Sequence, residues 1–270
     1  MKKMIALILT LALLMTAGLA SAQTFRQGID PEYPPFTYLN DNGEYAGFDV
    51  DVCKAACELL GWEYETVPVD WGTKEVSLNA NEIDCVWSGM TILPDMIKAG
   101  FVISTPYYEN KQVILTKEGK GIASSADLAG KIVAVQASTS ADKMLSPAAE
   151  EGEEDGELLE LAKSFQGGEP VRMQSYLACA TELDSNGADA IIVDLPVAYQ
   201  LAAQYKGFAV LDEILGTEQY GILYRAGDEE ICKQMDDAVA QLVASGKYAE
   251  MLAKYEDLDP QYFIFLQSAE

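Results

Sequence analysis

Two aspartates occupy positions from which they could hold a ligand. Asp30 follows a strand-like run at residues 25 to 29, and Asp194 follows the apolar run Ala190-Ile191-Ile192-Val193. The carboxyl end of a parallel strand is where open α/β sheets bind small ligands. A carboxylate there accepts hydrogen bonds from an ammonium or another cation. Asp194 also precedes Leu195-Pro196, where it could instead cap a helix. Tyr33 and Trp71 offer aromatic faces that attract cations. Each also fits as an aromatic packed on its own strand, and Phe36 reads as core. Ser88-Gly89-Met90-Thr91 follows a buried strand, and its glycine exposes peptide groups. The same hydroxyls also serve as turn and helix caps. Gln136-Ala137-Ser138-Thr139-Ser140 joins a strand to a helix start, whose backbone N–H groups favour an anion. Asp30, Asp194, Tyr33 and Trp71 together describe a site for an ammonium or another cation.

Other chemistries are excluded or poorly supported. The chain has no histidine, so Cys–His catalysis and histidine metal sites are ruled out. The five cysteines, Cys53, Cys57, Cys85, Cys179 and Cys232, match no zinc spacing. They read as buried free thiols; a disulfide between the first helix and Cys85 is the alternative. No cofactor and no metal are expected. Seven acids crowd residues 150 to 160. Their order fits no calcium loop, and they read as a solvated helix face. With 43 acids against 18 Lys+Arg the net charge is −25, which repels nucleic acid and anionic lipid surfaces.

These groups need a scaffold to hold them. Residues 1 to 22 carry Lys2 and Lys3, an uncharged run from Met4 to Leu14, and Ala20-Ser21-Ala22. This pattern predicts a secretory signal peptide cleaved after about Ala22. No cysteine follows the run, so no lipoprotein anchor is expected. No later stretch reaches the ~18 apolar residues of a membrane span. The remaining roughly 248 residues suffice for one large domain or two lobes. Strands and helices alternate, which argues for α/β layers with mainly parallel sheets. Strands are expected near residues 25–29, 64–69, 83–87, 131–136, 188–193, 208–211 and 219–224. Helices are expected at 48–60, 174–183, 195–205, 229–245 and 247–255, with another starting at Thr139 or Ser140. Long crossings near 107–116 and 212–220 suggest lobe one over 23–112, lobe two over 113–212, and a return to lobe one over 213–270.

Several segments, weak singly, resemble one family when taken in order. They are Asp30 to Phe36, Gly47-Phe48-Asp49-Val50-Asp51, Ile83-Asp84, Ser88 to Thr91, Thr105-Pro106-Tyr107-Tyr108, Asp127 to Lys131, Ala188-Asp189-Ala190, Asp194 and Tyr220-Gly221-Ile222. Across residues 24 to 256 the chain resembles the extracytoplasmic solute-binding proteins, family 3, of polar amino-acid ABC importers. The resemblance implies a two-lobed periplasmic-binding-protein-like α/β fold, a type II Venus flytrap hinged at the two crossings. It implies that Tyr33 stacks on the ligand side chain, with Trp71 as the opposite wall. It places the ligand α-amino and α-carboxylate groups on Ser88, Gly89, Met90 and Thr91. Gln136, Thr139 and Ser140 supply the second lobe's share, Thr139 helping with the carboxylate, and Asp194 pairs with the α-ammonium. One departure stands out. Where the family carries an arginine for the α-carboxylate, this chain has Met96, or Ile97 if one residue is inserted. Either Lys98 substitutes, or the ligand lacks a free carboxylate, or amino-acid binding is weakened.

The expected function is capture of a small polar solute, an amino acid or related cation, for the membrane subunits of an ABC importer. The protein is expected to be exported to the periplasm or outside and monomeric. A periplasmic enzyme resembling cyclohexadienyl dehydratase is one alternative, disfavoured by the missing histidine and arginine. A sensing module for a separate membrane receptor is the other.

Overall fold

The computed structural model describes residues 23–146 and 156–267. The signal peptide expected over residues 1 to 22 lies outside the described residues, as do residues 150–155 of the acidic run. Lobe one opens with β1 (Thr24–Ile29), β2 (Glu32–Tyr33), β3 (Thr37–Leu39), β4 (Tyr45–Ala46) and α1 (Phe48–Leu60). It continues through β5 (Glu63–Pro68), α2 (Lys74–Asn79), β6 (Cys85–Val86), α3 (Pro94–Lys98) and β7 (Val102–Ile103). Then β8 (Tyr108–Lys117) crosses to the second lobe, which holds β9 (Val133–Gln136), α4 (Ser140–Met144), α5 (Gly156–Ser164), β10 (Val171–Met173), α6 (Tyr176–Asp184), β11 (Ala190–Asp194) and α7 (Leu195–Gln204). The chain returns along β12 (Phe208–Tyr220) to β13 (Leu223–Tyr224), α8 (Glu229–Ala244), α9 (Lys247–Leu252) and α10 (Ile264–Gln267).

The first sheet has the order β5-β1-β6-β13-β7 and the second β10-β9-β11-β8-β12, with β2-β3-β4 as a small third sheet. In the first, β1 runs parallel to both neighbours, so its carboxyl end delivers Asp30 to the rim. In the second, β11 runs parallel to β9 and delivers Asp194 to the rim of that sheet. Local sequence explains the helix that backs β1. Asp49 and Asp51 lie in the first turn of α1, where the helix dipole favours acids. Gly61 ends it in the left-handed conformation, its N–H turned back to the last carbonyls. Phe48, Val52, Cys53, Ala56 and Cys57 form its buried face, and that face packs against α8.

The second crossing differs from expectation. The strand expected at 208–211 continues through the crossing as β12 to Tyr220, with register shifts between Val210 and Gly216, and the end of the strand expected at 219–224 is the separate β13. The long antiparallel partner β8 leaves backbone N–H and C=O groups along its edge, and pairing satisfies them. The strand expected at 83–87 is only Cys85–Val86, and β10 had no sequence signal. All five thiols are buried and free, so the alternative disulfide to Cys85 is not formed. No helix among the described residues is long and apolar enough to cross a membrane.

Candidate functional site

The residues singled out from sequence converge on one pocket between the lobes. Asp30 comes from the end of β1, Tyr33 from β2, and Trp71 from a 3₁₀ turn, Trp71–Thr73. Ser88, Gly89, Met90 and Thr91 follow β6, and Met96 sits on α3. The second lobe contributes Gln136 from β9, Thr139 and Ser140 from the start of α4, and Asp194 from β11. The pocket is closed by contacts across the cleft. Gln136 Nε2 donates to Asp30 Oδ2 at 2.7 Å, and Lys143 pairs with Asp95 at 2.7 Å.

The loop after β6 is held from behind by the first turn of α1. Gly89 N–H and the Tyr107 hydroxyl both donate to Asp49 Oδ2 at 2.8 Å. Asp49, conspicuous in the Gly47-Phe48-Asp49 motif, is therefore a support for the loop. Its burial pushes the carboxyl up to about 7. Gly89 is required by space as well as by its φ of +54°: a Cβ there would stand 2.3 Å from Tyr33 Cε1.

Asp194 has four donors. Tyr33 and Tyr176 hydroxyls donate to Oδ2 at 3.0 and 2.8 Å. The side-chain amides of Asn110 and Gln112 each reach Oδ1 at 2.5 Å. A second carboxylate stands beside it. Asn110, Gln112 and Thr91 also donate to Glu218 Oε1, at 2.8, 3.0 and 3.0 Å. Asn110, Gln112 and Glu218 lie on the two crossing strands, so those strands support Asp194 from behind the pocket lining. Sequence reasoning missed Glu218, Asn110, Gln112 and Tyr176. The alternation of Asn110 and Gln112 along β8 was the available signal, but the crossings read as connectors.

Burial, then the nearby Asp194 charge, pushes the Glu218 carboxyl up to about 7. Its folded value exceeds its unfolded value, so the folded protein binds the extra proton and stability falls as pH rises from about 4.5 through 7. In Glu218→Gln the fall in unfolding free energy from pH 5 to pH 8 should shrink by on the order of 1–3 kcal/mol. Urea denaturation at the two pH values measures it; an unchanged fall would refute the assignment.

At the arginine position the structure separates the two candidates. Met96 is buried and lines the pocket with Met90 and Leu93, whereas Ile97 is 61% exposed. Lys98 is exposed and lies outside the pocket lining. The cation lining the pocket is Lys74, at the start of α2, and its burial lowers the ammonium below the usual lysine range. On the acceptor side, Gln136 Oε1 is buried without a partner. Burial raises the Asp30 carboxyl that neighbours it. Among the described residues no group of three or more His, Cys, Asp or Glu could hold a metal ion.

Comparison with known proteins bears on the family and the fold. An L-arginine-binding protein of Pseudomonas aeruginosa is 30% identical over 269 residues, covering 96% of this chain and 98% of that protein. A crystal structure of an ABC uptake transporter substrate-binding protein from Streptococcus pneumoniae, with bound histidine, has a TM-score of 0.79 at 26% identity, covering 87% of this chain and 93% of that one. An ancestral amino-acid-binding protein, a precursor of cyclohexadienyl dehydratase, has a TM-score of 0.73 at 30% identity, covering 91% and 99%. Residues 25–257 match the bacterial extracellular solute-binding proteins, family 3, and with this two-lobed fold and interlobe pocket the chain belongs to that family.

Proposed function

We propose that this protein captures an α-amino acid with a cationic or amide side chain between its lobes and delivers it to the membrane subunits of an ABC importer. The observation that carries this reading is a pair of acceptor sites, Asp194 and Asp30, lining one closed pocket, with Glu218 behind Asp194. Asp194 and Glu218 stand at the hinge, and Asp30 stands beside the unpartnered Gln136 Oε1. A buried acceptor without a partner is costly, and a donor-rich ligand group would satisfy it. The α-ammonium is assigned to Asp194, and the donor-rich side-chain head to Asp30 and Gln136, between Tyr33 and Trp71. Closure around the ligand excludes water and strengthens these contacts. The amino-acid-binding relatives support the substrate class.

Lobe one comprises residues 23–112 and 213–270, lobe two 113–212, and the lobes open about β8 and β12. The protein works as an exported monomer after cleavage near Ala22, without turning its ligand over.

A thermal-shift panel of amino acids, amides, polyamines and betaines tests the reading. A micromolar binder at ~1 mM should add ~4 kcal/mol of stability. Shifts from polyamines or betaines with none from any amino acid would overturn it.

A further inference from the structure

We propose that Lys74 holds the ligand carboxylate and thereby selects zwitterionic amino acids over their carboxamides and decarboxylated amines. This rests on reading the pocket as an amino-acid site. Lys74 is the one cationic side chain among the residues lining the closed pocket, and it is 3% exposed. Its Nζ donates to the Trp71 carbonyl at 3.1 Å and stands 3.2 Å from Glu75 Oε1. It also lies 4.7 Å from the Trp71 ring centroid. An ammonium has three N–H donors, and these two oxygens account for two of them. A buried ammonium is unfavourable unless its donors are satisfied, so the remaining donor suits an anionic ligand group.

Position supports the same assignment. Lys74, Thr91, Leu93, Ser138 and Ser140 line both the closed pocket and the groove outside it, whereas Gln136 and Asp194 line the pocket alone. Lys74 thus sits on the outer wall and Asp194 deeper. An α-amino acid with its ammonium at Asp194 would turn its carboxylate toward that wall. Glu218 lines the outer groove but not the closed pocket, and its Oε1 accepts from Thr91, Asn110 and Gln112. Met90, Leu93 and Met96 make the surroundings apolar, which strengthens an ammonium–carboxylate contact.

Calorimetry on the full chain tests this with each standard amino acid and cystine, then with the carboxamide of whichever binds. The wild type should prefer the acid by at least roughly 10-fold. Lys74→Met and Lys74→Gln should each lose roughly 10- to 100-fold for the acid and stay within about 3-fold for the amide. A variant that keeps the wild-type preference for the acid would overturn the proposal. So would equal losses for acid and amide, the mark of a merely structural lysine. If Lys74→Met does not fold, as judged by circular dichroism, Lys74→Gln and the wild-type preference still decide. Silence of every amino acid against the wild type would refute the amino-acid reading itself, and Lys74 would then have no carboxylate to hold.

Discussion

Asp194→Ala is expected to eliminate ligand-induced thermal stabilisation and to weaken binding by at least about 100-fold. The loss has two sources. The ligand ammonium loses its carboxylate, and a hydrogen bond to a charged group contributes roughly 1.5–3 kcal/mol. The four donors that converge on Asp194, from Tyr33, Tyr176, Asn110 and Gln112, also lose their acceptor. Each buried donor left unsatisfied costs roughly 1–3 kcal/mol. Because those donors come from both lobes and the first crossing strand, the closed state should suffer more than either lobe. Asp194→Asn separates the two sources. It keeps the shape and one carbonyl acceptor but removes the charge, so binding should fall while most of the ligand-free stability remains. Calorimetry for affinity and denaturation without ligand read the two effects independently. Undiminished ligand stabilisation in Asp194→Ala would move the ammonium site elsewhere.

Gly47→Ala is expected to be the most destabilising conservative change in the molecule, by roughly 3 kcal/mol or more. Gly47 has a φ of +128°, and a Cβ there would stand 2.1 Å from the Phe36 carbonyl oxygen and 2.4 Å from its carbon. Both neighbours are backbone, so no side-chain rotation relieves the clash. Two hydrogen bonds fix the segment next to it: Phe48 N–H donates to Pro35 O at 3.0 Å and Asp49 N–H to Phe36 O at 3.1 Å. Displacing Gly47 would move Asp49 and release the loop that carries Gly89, so affinity should fall with stability. A loss of ~3 kcal/mol corresponds to roughly 6–12 °C in Tm for a protein of this size. A Tm within 2 °C of wild type would contradict the steric argument.

Both predictions act through residues that the sequence made visible for different reasons. Asp194 follows an apolar strand and precedes Leu195-Pro196, which marked its place at the sheet rim. Its four neutral donors were invisible, because they come from positions 18 to 161 residues away in the chain. Gly47 belonged to a recognisable motif, but only the approach of the Phe36 backbone explains why glycine is needed. Lys74 shows the opposite case. Nothing in the local sequence marked Lys74, and an isolated ammonium prefers water. Packing of α2 under the cleft buries it beside its own local acceptors.

The sequence by itself determined the alternation of strands and helices, the bounds of α1, and the placing of Asp30, Ser88 to Thr91, Gln136 to Ser140 and Asp194 at strand ends. Those features follow from local periodicity, capping and turn chemistry, which act over a few residues. It also disclosed the missing arginine. Only the tertiary structure decided that β8 and β12 pair into one hinge, that Asn110 and Gln112 bridge Asp194 to Glu218, and that Lys74 rather than Lys98 lines the pocket. Those outcomes depend on which faces meet when two distant crossings zip together and the lobes close. Burial and mutual charge, which turn ordinary polar residues into a site, arise from that meeting.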